Sequence, residues 1–216
     1  MRASLVLAII GAVLFSTVGH SQTLDERVAR QVLEALQGTI SVEAKPQFAE
    51  GQLFGCTVEF NAIERDWIYK QGAHIRIAGG FALMYAQKKL GVTLKVILHD
   101  IDLRTLNYTP SPPTSAYFVS GNSTTKSAVV GSYPSDVPGA IFVVLKMDPT
   151  FKIITEDLTR GKLAIAFART KGGSDIQVAI DTNVVETSNN GQRTRSPKAA
   201  LDFLDCCNSL LQMASK

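Results

Sequence analysis

The sequence predicts a mainly β domain of the α+β class, either an antiparallel sandwich or one curved sheet, with an N-terminal helix and a long C-terminal helix packed on it. Apolar and polar residues alternate through the middle of the chain, as in strands that turn one face to a core. Segments rich in Pro, Gly, Asn and Ser separate these runs and are typical of turns. Apolar residues at helical spacing occur near the two ends.

The first 21 residues have the pattern of a secretory signal peptide. Arg2 supplies the positive charge, residues 5–15 are uninterruptedly apolar, and the small residues Gly19 and Ser21 have the spacing that signal peptidase accepts. The apolar run is shorter than the ~20 residues that span a bilayer. We therefore expect cleavage after Ser21, or alternatively after Gly19. Residues 22–216 would then form a single β-rich domain, periplasmic or secreted, with no stable membrane span.

A helix is predicted over residues 24–37. Thr23 and Glu26 have the spacing of a capping box, in which each side chain satisfies a free amide of the first turn. Gly38 is a helix terminator. The apolar residues that recur near helical spacing are Leu24, Val28, Val32, Leu33 and Leu36.

Strands are predicted wherever the alternation or a short apolar run is clearest, at 53–62, 92–98, 141–145, 163–167 and 175–181. Residues 63–70 fit either a short helix or the end of a strand and a turn, and residues 81–90 favour a strand followed by a turn. Turns are predicted at 135–139, 171–174 and 189–191, the second of them as a hairpin. In all, the chain contains about eight to ten strand candidates, which favours a sheet-based core.

The C-terminal segment predicts a helix of about five turns. Ser196 is a suitable N-cap, and Pro197 suits the first helical position, where a missing amide costs nothing. Its apolar residues form one continuous stripe, which we expect to lie on the sheet: Ala200, Phe203, Leu204, Cys207, Leu210, Leu211 and Ala214.

Three cysteines predict one disulfide between the sheet and the C-terminal helix. Cys56 lies on the apolar face of its strand, whereas Cys207 lies within the helical stripe and Cys206 on its flank. The two neighbours on the helix point in different directions and would bridge each other only with strain. Cys206 is the preferred partner of Cys56, because a flank position reaches a strand side chain. Cys207 is the alternative partner, and three free buried thiols are the remaining possibility.

Composition and motifs exclude several classes of function. The formal net charge of +3, which falls by one when Arg2 is lost, is too small for a dedicated nucleic-acid-binding protein. Zinc-ligand spacing, a Gly-x-Ser-x-Gly nucleophile motif and phosphate-binding glycine loops do not occur. We expect no cofactor.

One polar segment suggests an enzyme. His99, Asp100 and Asp102 follow one another at the end of a predicted strand. If the strand continues through them, Asp100 and Asp102 project to the same side and are able to share a hard cation. A small secreted hydrolase with this polar centre is therefore the alternative hypothesis.

The leading hypothesis is a non-catalytic module that binds a protein, an envelope component or a small ligand. Its candidate contact surface is an exposed loop with Tyr108 and Tyr117 near its ends and Pro110, Pro112 and Pro113 between them. Proline stiffens this loop, so that little conformational entropy is lost on binding.

Four blocks of the sequence resemble an uncharacterised family of exported proteobacterial proteins: residues 51–60, 110–118, 133–142 and 196–206. The resemblance spans most of the mature chain. It implies export and a pairing of Cys56 with the C-terminal helix. It implies no activity, because that family has no established one.

Overall fold

The computed structural model describes residues 19–215, and the side chains of residues 26–215. The predicted signal peptide lies mostly in residues 1–18, outside the described residues. The remainder is mostly antiparallel β structure in open sheets with three helices, which confirms the predicted α+β fold. Among residues 19–215, no helix combines the length and the apolarity needed to cross a membrane.

The helices are α1 (Gly19–Leu36), α2 (Met147–Thr159) and α3 (Lys198–Ala214). The strands are β1 (Gly38–Ala49), β2 (Gln52–Asp66), β3 (Ala73–Ala86), β4 (Lys89–Ile101), β5 (Tyr108–Pro110), β6 (Ser115–Ser120), β7 (Ser123–Thr124), β8 (Val129–Pro134), β9 (Ala140–Leu145), β10 (Lys162–Ala168), β11 (Ile176–Asp181), β12 (Val184–Thr187) and β13 (Arg193–Arg195). All five predicted strands are present, and residues 63–70 contain the end of β2 and a turn.

Two sheets face each other. The long sheet has the order β1-β2-β3-β4-β9-β8, with β5 paired to the end of β4. The short sheet has the order β11-β10-β6-β7, and β12 pairs only with β13. All these pairings are antiparallel, so that hairpins connect most neighbours along the chain.

The core lies between the inner face of the long sheet, the short sheet, α2 and α3. Phe81 of β3 is its centre: its ring lies 5.6 Å from that of Phe118 in β6 and 5.4 Å from that of Phe203 in α3, edge to face in both pairs. Edge-to-face aromatic pairs stabilise the folded protein beyond the contribution of burying the rings themselves. The residues of β4 that the alternation assigned to a core are all buried there: Val92, Leu94, Val96 and Leu98.

Gly79 and Gly80 allow the close approach of strands at the middle of β3. A Cβ atom at Gly80 would lie 2.6 Å from the backbone oxygen of Val58, and Gly79 has φ +152°. Both pair in regular register, Gly79 with Phe60 and Gly80 with Glu59. Close packing, rather than a bulge, therefore explains the two glycines.

The helix boundaries differ from the prediction. α1 begins at Gly19, before the predicted capping box, so that Thr23 lies inside the helix. α3 begins at Lys198, one residue after Pro197, and the backbone amide of Lys198 donates to Ser196 Oγ at 3.2 Å. The predicted stripe of α3 is largely confirmed, since Ala200, Phe203, Cys207 and Leu210 are buried.

The disulfide joins Cys56 to Cys206, whose Cα atoms are 5.8 Å apart, across 150 residues of chain. It ties α3 to β2, as the cysteine pattern predicts, and it resolves the choice of partner. Cys207 is a free buried thiol, and burial raises its pKa to about 12. A thiol with so high a pKa is a poor nucleophile and a poor competitor for the bond.

Removing the disulfide should lower the free energy of unfolding by on the order of 4–5 kcal/mol, because the cross-link closes a very long loop of the unfolded chain. The variant is Cys56→Ala with Cys206→Ala, and the measurement is urea unfolding of oxidised protein. Cys207→Ala is the control that keeps the bond. A double variant as stable as the control, or a freely reactive Cys56 thiol in the native protein, would contradict the assignment.

Candidate functional site

A groove of about 1000 Å³ lies along β1 to β4 of the long sheet and also extends to Val185 of β12 and Lys198, Ala199 and Asp202 of α3. We call it the outer groove. Along β3 its floor consists of Ala78, Gly80 and Ala82, whose alternate neighbours point into the core. Since small side chains cover this strand while β2 and β4 carry longer ones, the face is hollow at its centre. Two smaller clefts, of about 500 and 260 Å³, lie elsewhere among the described residues.

Two cationic side chains line the outer groove on β3 and β4. Lys95 pairs in register with Gly80, where no side chain occupies the space beside it. Arg76 Nε donates to Asn61 Oδ1 at 3.1 Å, and its guanidinium lies 5.3 Å from the centre of the Tyr108 ring. Within residues 26–215, neither cation has a carboxylate at ion-pair distance.

The opposite side of the outer groove carries a paired set of charges. Lys45 Nζ lies 2.9 Å from a carboxylate oxygen of Glu59 and 2.9 Å from one of Glu43. Hydrogen bonds to Glu59 and Glu43 raise the pKa of Lys45. Glu43 and Glu59 therefore share one cation, whereas Arg76 on β3 and Lys95 on β4 have no ion pair among the described side chains.

Helix α1 closes one end of this face. Leu33 packs with Ile63 and Ile101 in a small apolar cluster, and Arg65 Nη2 donates to Glu34 Oε1 at 2.8 Å. His74 is 3% exposed at this end, and its Nε2 has no hydrogen-bond partner among the described residues. Burial, and then the positive charge of Arg65, lower the pKa of His74. The imidazole is therefore held neutral in the folded protein.

Only part of the predicted contact loop is exposed to solvent. Tyr108, Pro110 and Pro112 are exposed, but Pro113 and Tyr117 are buried, which corrects the prediction for these two residues. Tyr117 belongs to β6, and its hydroxyl donates to Asp175 Oδ2 at 2.6 Å. β6 was not predicted because it begins at Ser115, directly after the proline-rich segment, which has the pattern of a loop. Tyr108 remains on the surface beside Arg76, at the end of the outer groove.

The predicted polar centre does not assemble. β4 ends at Ile101, so that His99 and Asp100 lie on opposite faces of the sheet and Asp102 lies beyond the strand. The carboxylate of Asp102 accepts a hydrogen bond from the backbone amide of Arg104 at 2.8 Å and so organises a turn. Within the described part of the chain, no group of three or more His, Cys, Asp or Glu residues is placed to hold a metal ion.

Asp100 belongs instead to a buried ion cluster centred on Arg169, which we call the Arg169 cluster. The guanidinium donates to Asp66 Oδ2 at 2.6 Å, to Asp100 Oδ1 at 2.7 Å and to Ser111 Oγ at 2.7 Å. The side chain of Arg169 is 7% exposed and that of Asp66 is fully buried. Sequence reasoning missed this cluster, because its members come from four distant segments.

Every charged group of the Arg169 cluster already has a partner. Asp66 Oδ1 accepts from the backbone amides of Ile68 and Tyr69, at 3.0 and 2.8 Å. Burial would raise the pKa of Asp100, but hydrogen bonds from Lys70 and Arg169 outweigh it and hold the pKa below its ordinary value. The cluster therefore has a structural role, and both of its carboxylates are already engaged in hydrogen bonds.

Comparison of the chain with protein-family models, with curated proteins and with solved structures finds no match. The candidate site therefore rests on the geometry of this chain alone.

Arg169→Met should lower the free energy of unfolding by about 3–5 kcal/mol, because it leaves the buried carboxylate of Asp66 without a counter-charge and with its backbone amide donors alone. Adding Asp66→Asn should restore part of the loss. The matched control is Arg195→Met, which breaks an exposed ion pair with Asp181 and should cost about 0–1 kcal/mol. Urea unfolding of the four proteins measures these differences. Equal losses for Arg169→Met and Arg195→Met would show that the cluster is not structurally important.

Stability should fall as the pH is lowered through the histidine range. The folded-state pKa of His74 lies below its ordinary value of 6.5, so that the unfolded chain binds more protons below about pH 6.5. The free energy of unfolding then decreases from that pH down to the lowered pKa and stays level below it. His74→Gln should reduce this slope in urea unfolding at pH 7.5 and 5.0. An unchanged slope would contradict the assignment.

Proposed function

We propose that this chain is an exported, non-catalytic binding module and that its ligand lies in the outer groove. The observation that carries the proposal is the groove itself. At about 1000 Å³ it has the size of a site for a small molecule or a short extended segment. A hollow of this size on a sheet face is unusual, because side chains on adjacent strands normally fill such a surface.

The exposed part of the predicted contact loop supports the same location. Tyr108 is half exposed and stacks on Arg76, which lines the outer groove. The predicted loop and the groove therefore form one continuous surface rather than two separate sites. Aromatic side chains at the end of a groove provide apolar area with few torsions to immobilise, which favours binding.

The disulfide supports the proposed export. Stable disulfides form in oxidising compartments and are rare in the cytosol. The bond between Cys56 and Cys206 joins β2 to α3 in the core region, where it has a structural role. We propose the periplasm or the cell exterior as the location, in line with the leader pattern of residues 1–21.

The hydrolase alternative has less support. Asp100 Oδ1 accepts from Arg169, and Asp100 Oδ2 lies 3.0 Å from Lys70 Nζ, so that both carboxylate oxygens are occupied. His99 points to the other face of β4, away from Asp100. A general base needs a free oxygen or nitrogen within reach of the substrate proton.

Filling the outer groove should abolish binding without unfolding the protein. Ala78→Phe places a large ring on the groove floor, and Gln177→Phe is the control on an exposed position of β11 outside the three clefts. The neutral dye Nile red is the probe, with its fluorescence titrated against each protein. We expect saturable binding to wild type and control, and an affinity at least about tenfold lower for Ala78→Phe, a difference of about 1.4 kcal/mol.

Near-UV circular dichroism of both variants verifies that the fold is retained. If the folded Ala78→Phe protein binds Nile red as tightly as wild type, or if wild type binds none, the outer groove is not the binding site.

A further inference from the structure

We infer that the ligand of the outer groove is an amphipathic organic anion, with its carboxylate or phosphate head between Lys95 and Arg76 and its apolar body on the alanine floor. The inference rests on the proposed function and narrows it to one class of ligand. It follows from two features of the groove: two cations without an ion pair among the described side chains, and an apolar strip beside them.

Lys95 is the first unmatched cation. It lines the groove and is partly buried. In the sheet, Gly80 separates it from Glu59 of β2, whose carboxylate is paired with Lys45. Within the described side chains Lys95 has neither an ion pair nor a hydrogen bond from its ammonium group. Partial burial without a counter-charge costs solvation energy, and an anion from the ligand would recover it.

Arg76 is the second cation, and its neighbours hold it in place. Its Nε is used by Asn61, and the Tyr108 ring supports its flat face. The two terminal nitrogens of the guanidinium make no hydrogen bond to the described side chains. They form a fork that matches two oxygens of a carboxylate or phosphate. Because the fork is already oriented, little entropy is lost when the anion binds.

The two cations lie on either side of an apolar pair. Arg76 pairs in register with His99, Gly80 pairs with Lys95, and the pair between them is Ala78 with Ile97. An anionic head over this central pair has a cation on each side along the strands. The groove continues past Ala82 and Met84 on β3, which are apolar and suit a hydrocarbon chain.

The second-largest cleft found among the described residues shows the contrast. It holds Arg193 and Arg195, but their guanidinium groups are already used. Arg193 donates to the backbone oxygens of Thr39 and Gln37, and Arg195 Nη2 lies 2.6 Å from Asp181 Oδ2. Arg193 and Arg195 therefore serve the fold, unlike Arg76 and Lys95. Lys162 in the same cleft has no ion pair among the described side chains, so it is a suitable control for Lys95.

The test compares three probes that share a twelve-carbon chain: dodecanoate, dodecyl phosphate and the uncharged methyl dodecanoate. Each is titrated, below its micellar concentration, as a competitor of Nile red on wild type, Lys95→Met and the control Lys162→Met, an exposed lysine at the start of β10. We expect at least one anion to bind wild type about tenfold more tightly than the ester. Lys95→Met should remove this preference and leave the ester affinity unchanged, and Lys162→Met should change neither.

The outcomes separate this inference from the proposed function. The two anions identify the head group, since a preference for only one of them assigns carboxylate or phosphate. If ester and anions bind wild type equally, or if Lys95→Met weakens all three alike, the charge inference is wrong. The proposed function then still stands, provided that Ala78→Phe abolishes ester binding. If no probe displaces Nile red and Ala78→Phe has no effect on the dye, both proposals fail.

Discussion

The ion cluster around Arg169 is the constraint on which the arrangement of the two sheets depends. Arg169 follows β10 of the short sheet, whereas Asp66 and Asp100 end β2 and β4 of the long sheet. A buried guanidinium with two carboxylates tolerates little displacement, because any lost contact leaves a charge without solvent or partner. The same cation holds Ser111 and so directs the proline segment that follows Tyr108. The shape of the outer groove therefore depends on a cluster that lies on the opposite side of the same sheet.

Local patterns predicted the parts of the fold that local chemistry determines. The alternation in β4 identified its buried face, and the spacing of Cys56, Cys206 and Cys207 predicted the cross-link, because both follow from the periods of strand and helix. Several elements were not predicted, among them β1 and α2. β1 is an edge strand and contains Pro46 in a polar segment. Edge strands tolerate proline, but a proline in a polar segment is not recognised as a strand from its sequence pattern. α2 buries Ile153, Ile154 and Leu158 at helical spacing after Pro149, a signal that was present but short.

The candidate site was less predictable than the fold, for a physical reason. Lys95 and Arg76 alternate with core residues, and in the sequence they have the pattern of any solvated strand face. Only the register with Gly80 and Ala78 shows that they border a hollow. The Arg169 cluster was unpredictable for the same reason, because it depends on which distant residues the fold brings together: Asp66 and Arg169 are 103 residues apart. Tyr117 was misassigned because burial of a single residue depends on what the other sheet places over it.

The position of the cross-link has a consequence for biogenesis. Cys56 lies in β2 and Cys206 lies in α3, 150 residues later in the chain, so that the bond forms only after both segments have been synthesised. Until then Cys56 has no partner for a disulfide and is a free thiol. In the folded chain Cys207 is buried in the core, whereas Cys206 is partly buried on the flank of α3 and is the residue bonded to Cys56. The side of α3 that packs on the sheet therefore determines which of the two adjacent sulfur atoms lies beside Cys56.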